Sequence, residues 1–486
     1  MEQLRQHNNT VSLGTDPIRR LLPRYAIPAI IAMASASLYN IIDSIFIGHG
    51  VGGAAISGMA ITLPIMNIAS AFGAMVGVGA ASRISIRLGE GNLRAAEKTL
   101  GNAVLLNITL GLVVMGIILG FLDPILRFFS GAKASEETID YARQFMQIIM
   151  AGNVITHLYL SLNEQLRASG YPVKSMAVML TAVGVCIVLN PLFIFVFGWG
   201  IRGSALATVI AQSSALGILL VHYNSKKSFL RFHRRCFRFE RKIVVAIISI
   251  GLSPFLLNIC ASLVVRFINT SLLEYGGTGA GDVISQATFA GDVGDVYVGA
   301  YGIMNRVLLL FVMVVMGLNQ GMQPIVGYNY GAKQYDRVIK ALRYTIICAV
   351  GVMTVAFLIG RLFPVQVASA FVDASKGGAD EAIIDVVAQG LGIVLLLYPA
   401  VGFQIVAGNF FQYIGRAPLA IFMSMTRQLL FLVPLLIFLP PRYGAQGVWA
   451  SMPIADGVSI LLAATLLLRQ IRILRRAQRE QRFGRL

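Results

Sequence analysis

The sequence predicts an all-α polytopic membrane protein, with twelve transmembrane helices in two pseudo-symmetric six-helix bundles around a central cleft. Three observations carry that expectation: the apolar composition, the count of long uncharged runs, and the placement of basic residues and repeats along the chain. Hydrophobic residues make up 56% and charged residues 13% of the 486 residues, against about 25% charged in an ordinary globular protein. A chain of this size with so little polar surface does not stay in water, which excludes a soluble enzyme, a disordered scaffold and a disulfide-stapled secreted domain. A bilayer-spanning helix needs about 20 predominantly apolar residues.

Twelve such runs follow in order, at 25–48, 54–82, 99–121, 144–163, 175–197, 203–222, 243–265, 297–323, 344–362, 386–411, 418–440 and 444–468. Turn-forming segments separate them, such as Gly89-Glu90-Gly91-Asn92 and Pro440-Pro441-Arg442-Tyr443-Gly444. No signal peptide with a small-residue cleavage site precedes the first run, which is expected to be retained. The formal net charge of +18 is a matter of topology. Counting span ends, 31 of the 40 Lys and Arg residues fall on the tails and even-numbered loops, while 12 of the 22 acidic residues lie in the odd-numbered loops. The positive-inside rule then places both termini in the cytoplasm. The basic segments "KKSFLRFHRRCFRFERK" and "RQIRILRRAQREQRFGRL" interleave cations with apolar residues. Contact with anionic headgroups explains them, and no nucleic-acid partner is expected.

The two halves repeat. Gly79 and Gly89 precede Gly321 and Gly331 by 242 residues, Gly170 precedes Gly415 by 245, and Gly203 precedes Gly447 by 244. Six helices between equivalents preserve orientation, so the halves are parallel repeats about an axis along the membrane normal. The domain expectation is an N-terminal bundle over 1–222, a basic linker over 223–242, a C-terminal bundle over 243–468 and a basic tail over 469–486. Cys186, Cys236, Cys260 and Cys348 have no CxxC spacing and read as reduced thiols. No P-loop signature is present, so nucleotide hydrolysis is not the direct energy source. No paired acids, nucleophile–base set or metal cluster stands within the spans, and no enzyme activity or cofactor is expected.

An ionisable group at bilayer depth needs a partner, water or a function. Asp43, five residues before Gly48 in the first run, is the clearest case. Burial disfavours its charged form while a bound cation favours it, so it suits coupling to either a proton or sodium. Pro191, next to Asn190, removes a backbone hydrogen bond and frees a carbonyl one turn earlier, assigned to Cys186. Arg427 and Asp456, in the last two runs, are expected to pair as structural glue. Spans seven and ten offer Asn258, Arg266, Gln404 and Asn409 but no acid. Met33, Tyr39, Asn40, Met66, Asn153 and His157 are candidates for lining a substrate cavity, methionine being suited to an adaptable pocket.

Several segments carry a resemblance: "YNIIDSIFIGHGVGGAAISGMAITLP", "GAASRISIRLGEGNLRAAEKTLGNAV", "LRASGYPVKSMAVMLTAVGVCIVLNPLFIF" and "VGAYGIMNRVLLLFVMVVMGLNQGMQPIVGYNYGAKQYDRVIKALR". Over about residues 20 to 468 the chain resembles the multidrug and toxic compound extrusion (MATE) family, in its MepA-like bacterial branch. The resemblance implies export of small, often cationic organic compounds by alternating access in exchange for protons or sodium ions, from a chain expected to be a monomer. It also implies that Asp43, Asn190 and Thr208 line a cation site in the N-terminal bundle, where many relatives carry a second Asp at the position of Asn190. The alternative reading is a flippase for lipid-linked saccharides. One departure from similar proteins is the stretch at about 278–296, an enlarged loop between spans seven and eight, read as a solvated enlargement or a lid over the outward vestibule.

Overall fold

The computed structural model describes residues 12–130, 135–226, 228–284, 293–372 and 379–482, and every regular element among them is helical. The apolar runs become α1 (Ile18–Gly50), α2 (Gly53–Gly89), α3 (Leu93–Gly120), α4 (Glu136–Ala151 and Asn153–Ala168), α5 (Pro172–Pro191) and α6 (Gly200–Asn224). The second half gives α7 (Arg241–Tyr275), α8 (Val293–Gly331), α9 (Tyr335–Leu362), α10 (Ala379–Val394 continuing through Tyr398–Tyr413), α11 (Ala417–Phe438) and α12 (Pro440–Arg482). Eleven of these are single helices long and apolar enough to cross a membrane, and the two segments of α4, bent by 56°, complete a twelfth span. The chain is an all-helical integral membrane protein.

Local chemistry sets the ends. The Asn92 side chain accepts from the Ala95 amide at 3.0 Å and caps α3, and Ser135 accepts from Thr138 at 3.2 Å to cap α4. Pro172 stands at the start of α5, where its missing amide is not needed. The span expected at 144–163 begins earlier and is broken. Its first segment carries Asp140 and Arg143 on an exposed face, where Arg143 pairs with Asp123 at 2.7 Å, so hydropathy alone underestimates it. The bend falls at Gly152, where an added Cβ would lie 2.7 Å from the Val209 side chain.

The repeat extends to backbone conformation. Positive φ occurs at Gly91 (72°) and Lys333 (57°), at Gly170 (99°) and Gly415 (73°), and at Gly200 (56°) and Gly444 (61°). The spacings, 333 − 91 = 242, 415 − 170 = 245 and 444 − 200 = 244, are those of the sequence repeat. Both halves therefore turn the chain in the same left-handed way after the second, fourth and fifth helices, and only at Lys333 does a side chain bear the strain.

The residues divide into two compact units. The first comprises 1–258 with 320–338 and 412–417; the second comprises 259–319, 339–411 and 418–486. The partition departs from one placed at the 223–242 linker, because the ends of α7 and α8 pack on helices of the first half. Gly79 and Gly251 permit this on α7: a Cβ on either would meet Ile247 O at 2.1 Å or Met75 O at 1.9 Å. Gly89 and Gly331 permit it on α8, where a Cβ would meet Tyr328 O at 1.9 Å and Ile86 O at 2.0 Å respectively. Since 328 − 86 = 242, this contact is itself two-fold symmetric in the repeat. The linker is docked as well: Asn102 of α3 bonds Arg238 O at 3.1 Å and the Glu240 amide at 2.8 Å, and Lys98 pairs with Glu240 at 2.7 Å.

In the second unit, the described part of the 7–8 loop is tied down. Asp282 accepts from the amides of Ala445 and Gln446, both at 3.1 Å, and so caps the helical part of α12 beyond Gly444. Residues 285–292 of the expected enlargement lie outside the described residues.

Candidate functional site

The first unit gathers its polar side chains around Asp43. A carboxylate buried to 7% exposure sits on α1, seven residues before the helix ends at Gly50. Its Oδ1 accepts from Asn190 Nδ2 of α5 at 2.6 Å and from Ser204 Oγ of α6 at 2.9 Å. Tyr39, one turn before Asp43 on α1, interacts with the same carboxylate. Its hydroxyl lies 3.2 Å from Thr208 Oγ1 and 3.0 Å from Cys186 Sγ, and that thiol lies 3.7 Å from Thr208. Asn190 is fully buried, yet its Oδ1 has no partner among the described residues.

Each side chain has a reason to be there. Asp43 and Tyr39 are four apart on one face of α1, as are Cys186 and Asn190 on α5 and Ser204 and Thr208 on α6. Three amphipathic stripes in otherwise apolar helices thus converge. Pro191 ends the regular α5 ladder, and a wider π turn follows at Leu192–Val196, a device that recurs at functional sites. The carbonyl that Pro191 deprives of its donor belongs to Ile187, four residues earlier, rather than to Cys186, which enters the cluster through its thiol. Ser204 was missed by sequence reasoning. The signal was present: Ser204, Thr208 and Gln212 recur every four residues on α6, and Gln212 in turn accepts from Thr156.

The cavity candidates separate. Tyr39 belongs to the Asp43 cluster, and Met33 is half-buried, with its Sδ 3.2 Å from Gln320 Nε2. Met66 is half-buried against an apolar cluster of the first unit, which suits packing. Two expectations are corrected. His157 has no exposure: its Nε2 pairs with Ala69 O at 2.9 Å, and its ring fills the space left by Gly73 and Gly111. Asn153, 2% exposed, donates to Gly111 O at 3.0 Å. Both are helix-packing groups, because residues with small side chains on α2 and α3 let α4 come close enough to cover them. The side chain of Asn40 lies outside the described residues.

Arg427 and Asp456 meet in the second unit, with Nε 2.5 Å from Oδ1. Arg427, counted in the sequence as a span end, is the eleventh of the 22 residues of α11 and stands at its centre. Among the described residues no group of three or more His, Cys, Asp or Glu side chains is placed to hold a metal ion.

Twelve hydrophobic spans, with a carboxylate and an ion pair buried inside them, define an integral membrane protein of the ion- or solute-translocating class. The MatE family model matches residues 28–192 and 284–437. The multidrug export protein MepA of Staphylococcus aureus (strain N315) is 26% identical over 460 residues, covering 93% of this chain and 94% of that protein. MepA of Staphylococcus haemolyticus (strain JCSC1435) is 25% identical over 448 residues, covering 92% of each. Among solved structures, a multidrug resistance MATE family transporter of the MOP superfamily in an outward-facing conformation superposes with a TM-score of 0.85 at 23% identity, covering 96% of this chain and 98% of that one. A MOP superfamily transporter from Pyrococcus furiosus, whose binding pocket is described as of reverse polarity, gives the same score, identity and coverage. The chain belongs to the MatE family. It is a transporter and not an enzyme.

Proposed function

We propose that this chain exports amphipathic, cationic organic compounds across a bacterial inner membrane by alternating access, in exchange for protons, acting as a monomer with both termini in the cytoplasm. The relatives named as multidrug export proteins support the substrate class. The observation that carries the coupling assignment is the burial of Asp43 at the meeting of α1, α5 and α6, with Asn190 and Ser204 both donating to one oxygen. A proton on the second oxygen neutralises the group without disturbing those bonds. Sodium would instead need the lone pairs of Asn190, Ser204, Thr208 and Tyr39 turned inward. In this geometry Asn190 Nδ2 and Ser204 Oγ act as donors to the carboxylate.

Export of ethidium into the lumen of inverted vesicles, under imposed proton and sodium gradients applied separately, tests the reading. Proton-driven efflux that vanishes in Asp43→Asn is the expected result. Efflux driven by sodium alone overturns the coupling ion, and gradient-driven efflux surviving in Asp43→Asn overturns the residue. Absence of any dye efflux, with scrambling of lipid-linked saccharides in its place, overturns the substrate class.

A further inference from the structure

The second unit holds a charged centre of its own, the pair of Arg427 and Asp456. Arg427 sits at the midpoint of α11, in a widened π turn at Thr426–Leu432. Asp456 of α12 takes its Nε at 2.5 Å and is 4% exposed, whereas the Arg427 side chain is 32% exposed. Tyr301 of α8 and Tyr398 of α10 lie in the neighbourhood of the guanidinium. The Tyr398 hydroxyl is committed to Leu308 O at 3.0 Å, and the half-buried Tyr301 ring is backed by Trp449 with centroids 6.4 Å apart at 28°. The hydrogen bonds among the described residues occupy only the Nε of Arg427.

An arginine side chain one-third exposed at the centre of a span is too costly to leave against lipid tails, so its open side faces water or a ligand. With Nε held by Asp456, the two Nη groups form a fork of parallel donors, the geometry that accepts a carboxylate or phosphate in two bonds. The pair is already neutral. A simple anion entering it would leave one negative charge in excess, which a low-dielectric site resists. A group that brings its own positive charge does not have that difficulty.

Taking export of organic cations as the basal activity, we propose that Arg427, positioned by Asp456, is a second substrate contact that accepts the anionic group of zwitterionic amphiphiles. Its ligand is recognised by a carboxylate or phosphate held near a delocalised cation.

The test uses the full chain in proteoliposomes and two fluorescent probes, a rhodamine with a free benzoate and its methyl ester, which differ by one anionic group. The double variant Arg427→Met/Asp456→Leu removes the pair without stranding either charge. It is expected to lose about tenfold or more in transport of the free benzoate while keeping the ester within about twofold, with Arg427→Lys intermediate because a point charge replaces the fork. Equal losses for both probes reduce the pair to a structural tie and overturn the proposal, as does an unchanged ratio. Probe binding to purified protein in phosphatidylcholine nanodiscs, followed by anisotropy, gives a readout independent of transport. If the wild type exports neither probe, the exporter reading fails by itself, and weaker binding of the benzoate alone in the double variant still supports the contact. Displacement of bound benzoate by added phosphatidylglycerol, in wild type and not in the double variant, assigns the fork to a lipid headgroup and overturns its role in transport.

Discussion

The two halves share a backbone and differ in their buried charge. α1 carries Asp43, whereas the corresponding run of α7, 243–265, carries no acid. Residues 51–52 join α1 to α2 and residues 276–292 join α7 to α8, a difference of 17 − 2 = 15, and 43 + 242 − 15 = 270, which is Thr270. The partners change with it. The residue before the α5 proline is Asn190, and before the α11 proline it is Val433; Ser204 + 244 gives Val448, and Thr208 + 244 gives Met452. Conversely, Asp456 − 244 gives Gln212, a neutral side chain bonded to Thr156, and Arg427 − 244 gives Val183. Each half has one ionisable centre against its fifth and sixth helices, carried by α1 in the first half and by α11 and α12 in the second, and lacks the other's. The lesson is that the scaffold tolerates a polar site at either level, and that the unpaired acid and the paired one do different work.

The largest effect should come from Asp43→Asn, which keeps the size of the group and removes its titration. Gradient-driven efflux is expected to fall by about a hundredfold or more, the scale of losing an essential proton-transfer group, while dye binding to the purified protein stays near wild type. A substantial residual rate would put the coupling elsewhere and dissolve the contrast between the halves.

The pair in the second half should answer to symmetry of removal. Asp456→Leu alone leaves a partly exposed guanidinium without its carboxylate and is expected to cost about 1–3 kcal/mol, seen as a lower melting temperature in detergent. Arg427→Met/Asp456→Leu is expected to recover most of that loss. Equal melting of the single and double variants would show that burial at this site carries no electrostatic cost.

Gly89→Ala and Gly331→Ala probe the pseudo-symmetric contact of α2 with α8. The carbonyls that meet the new methyl groups lie at 1.9 and 2.0 Å, and backbone has to move in each case. A loss of about 1–3 kcal/mol is expected from either, and of similar size in both. Strongly unequal values would restrict the repeat symmetry to geometry. The smallest effect belongs to Ser204→Ala, which removes one of two bonds to Asp43 Oδ1, at about 0.6–2 kcal/mol within a membrane. It should appear as a shift in the proton dependence of efflux with the maximal rate retained. An unchanged dependence would mean that Asn190 and Tyr39 set the state of the acid without Ser204.

Most of the scaffold could be read from the chain because lipid demands it: long apolar runs, glycine-marked turns and a one-sided basic charge are each forced by bilayer physics. The Asp43 site was legible for the same reason, since a carboxylate is conspicuous in such a run. Ser204 escaped notice because a serine costs little in a helix and announces itself only by its four-residue spacing to Thr208. His157 and Asn153 read as cavity residues because polarity says nothing about direction; the small residues of α2 and α3 that cover them are visible only in three dimensions. The bend of α4 and the docking of the linker on Asn102 were hidden likewise, as neither depends on hydropathy.

The contact between Gly89 and Tyr328 carries a consequence for synthesis. The two residues are 328 − 89 = 239 apart, and ribosomes elongate at about 5–20 residues per second, so Gly89 leaves the ribosome roughly 10–50 s before its neighbour exists. Throughout that interval the flat, side-chain-free strip of α2 has only lipid, the insertion machinery or a passing helix to lie against. A surface shaped for a late arrival is a standing invitation to the wrong partner, and the fidelity of assembly rests on how long that strip is kept waiting.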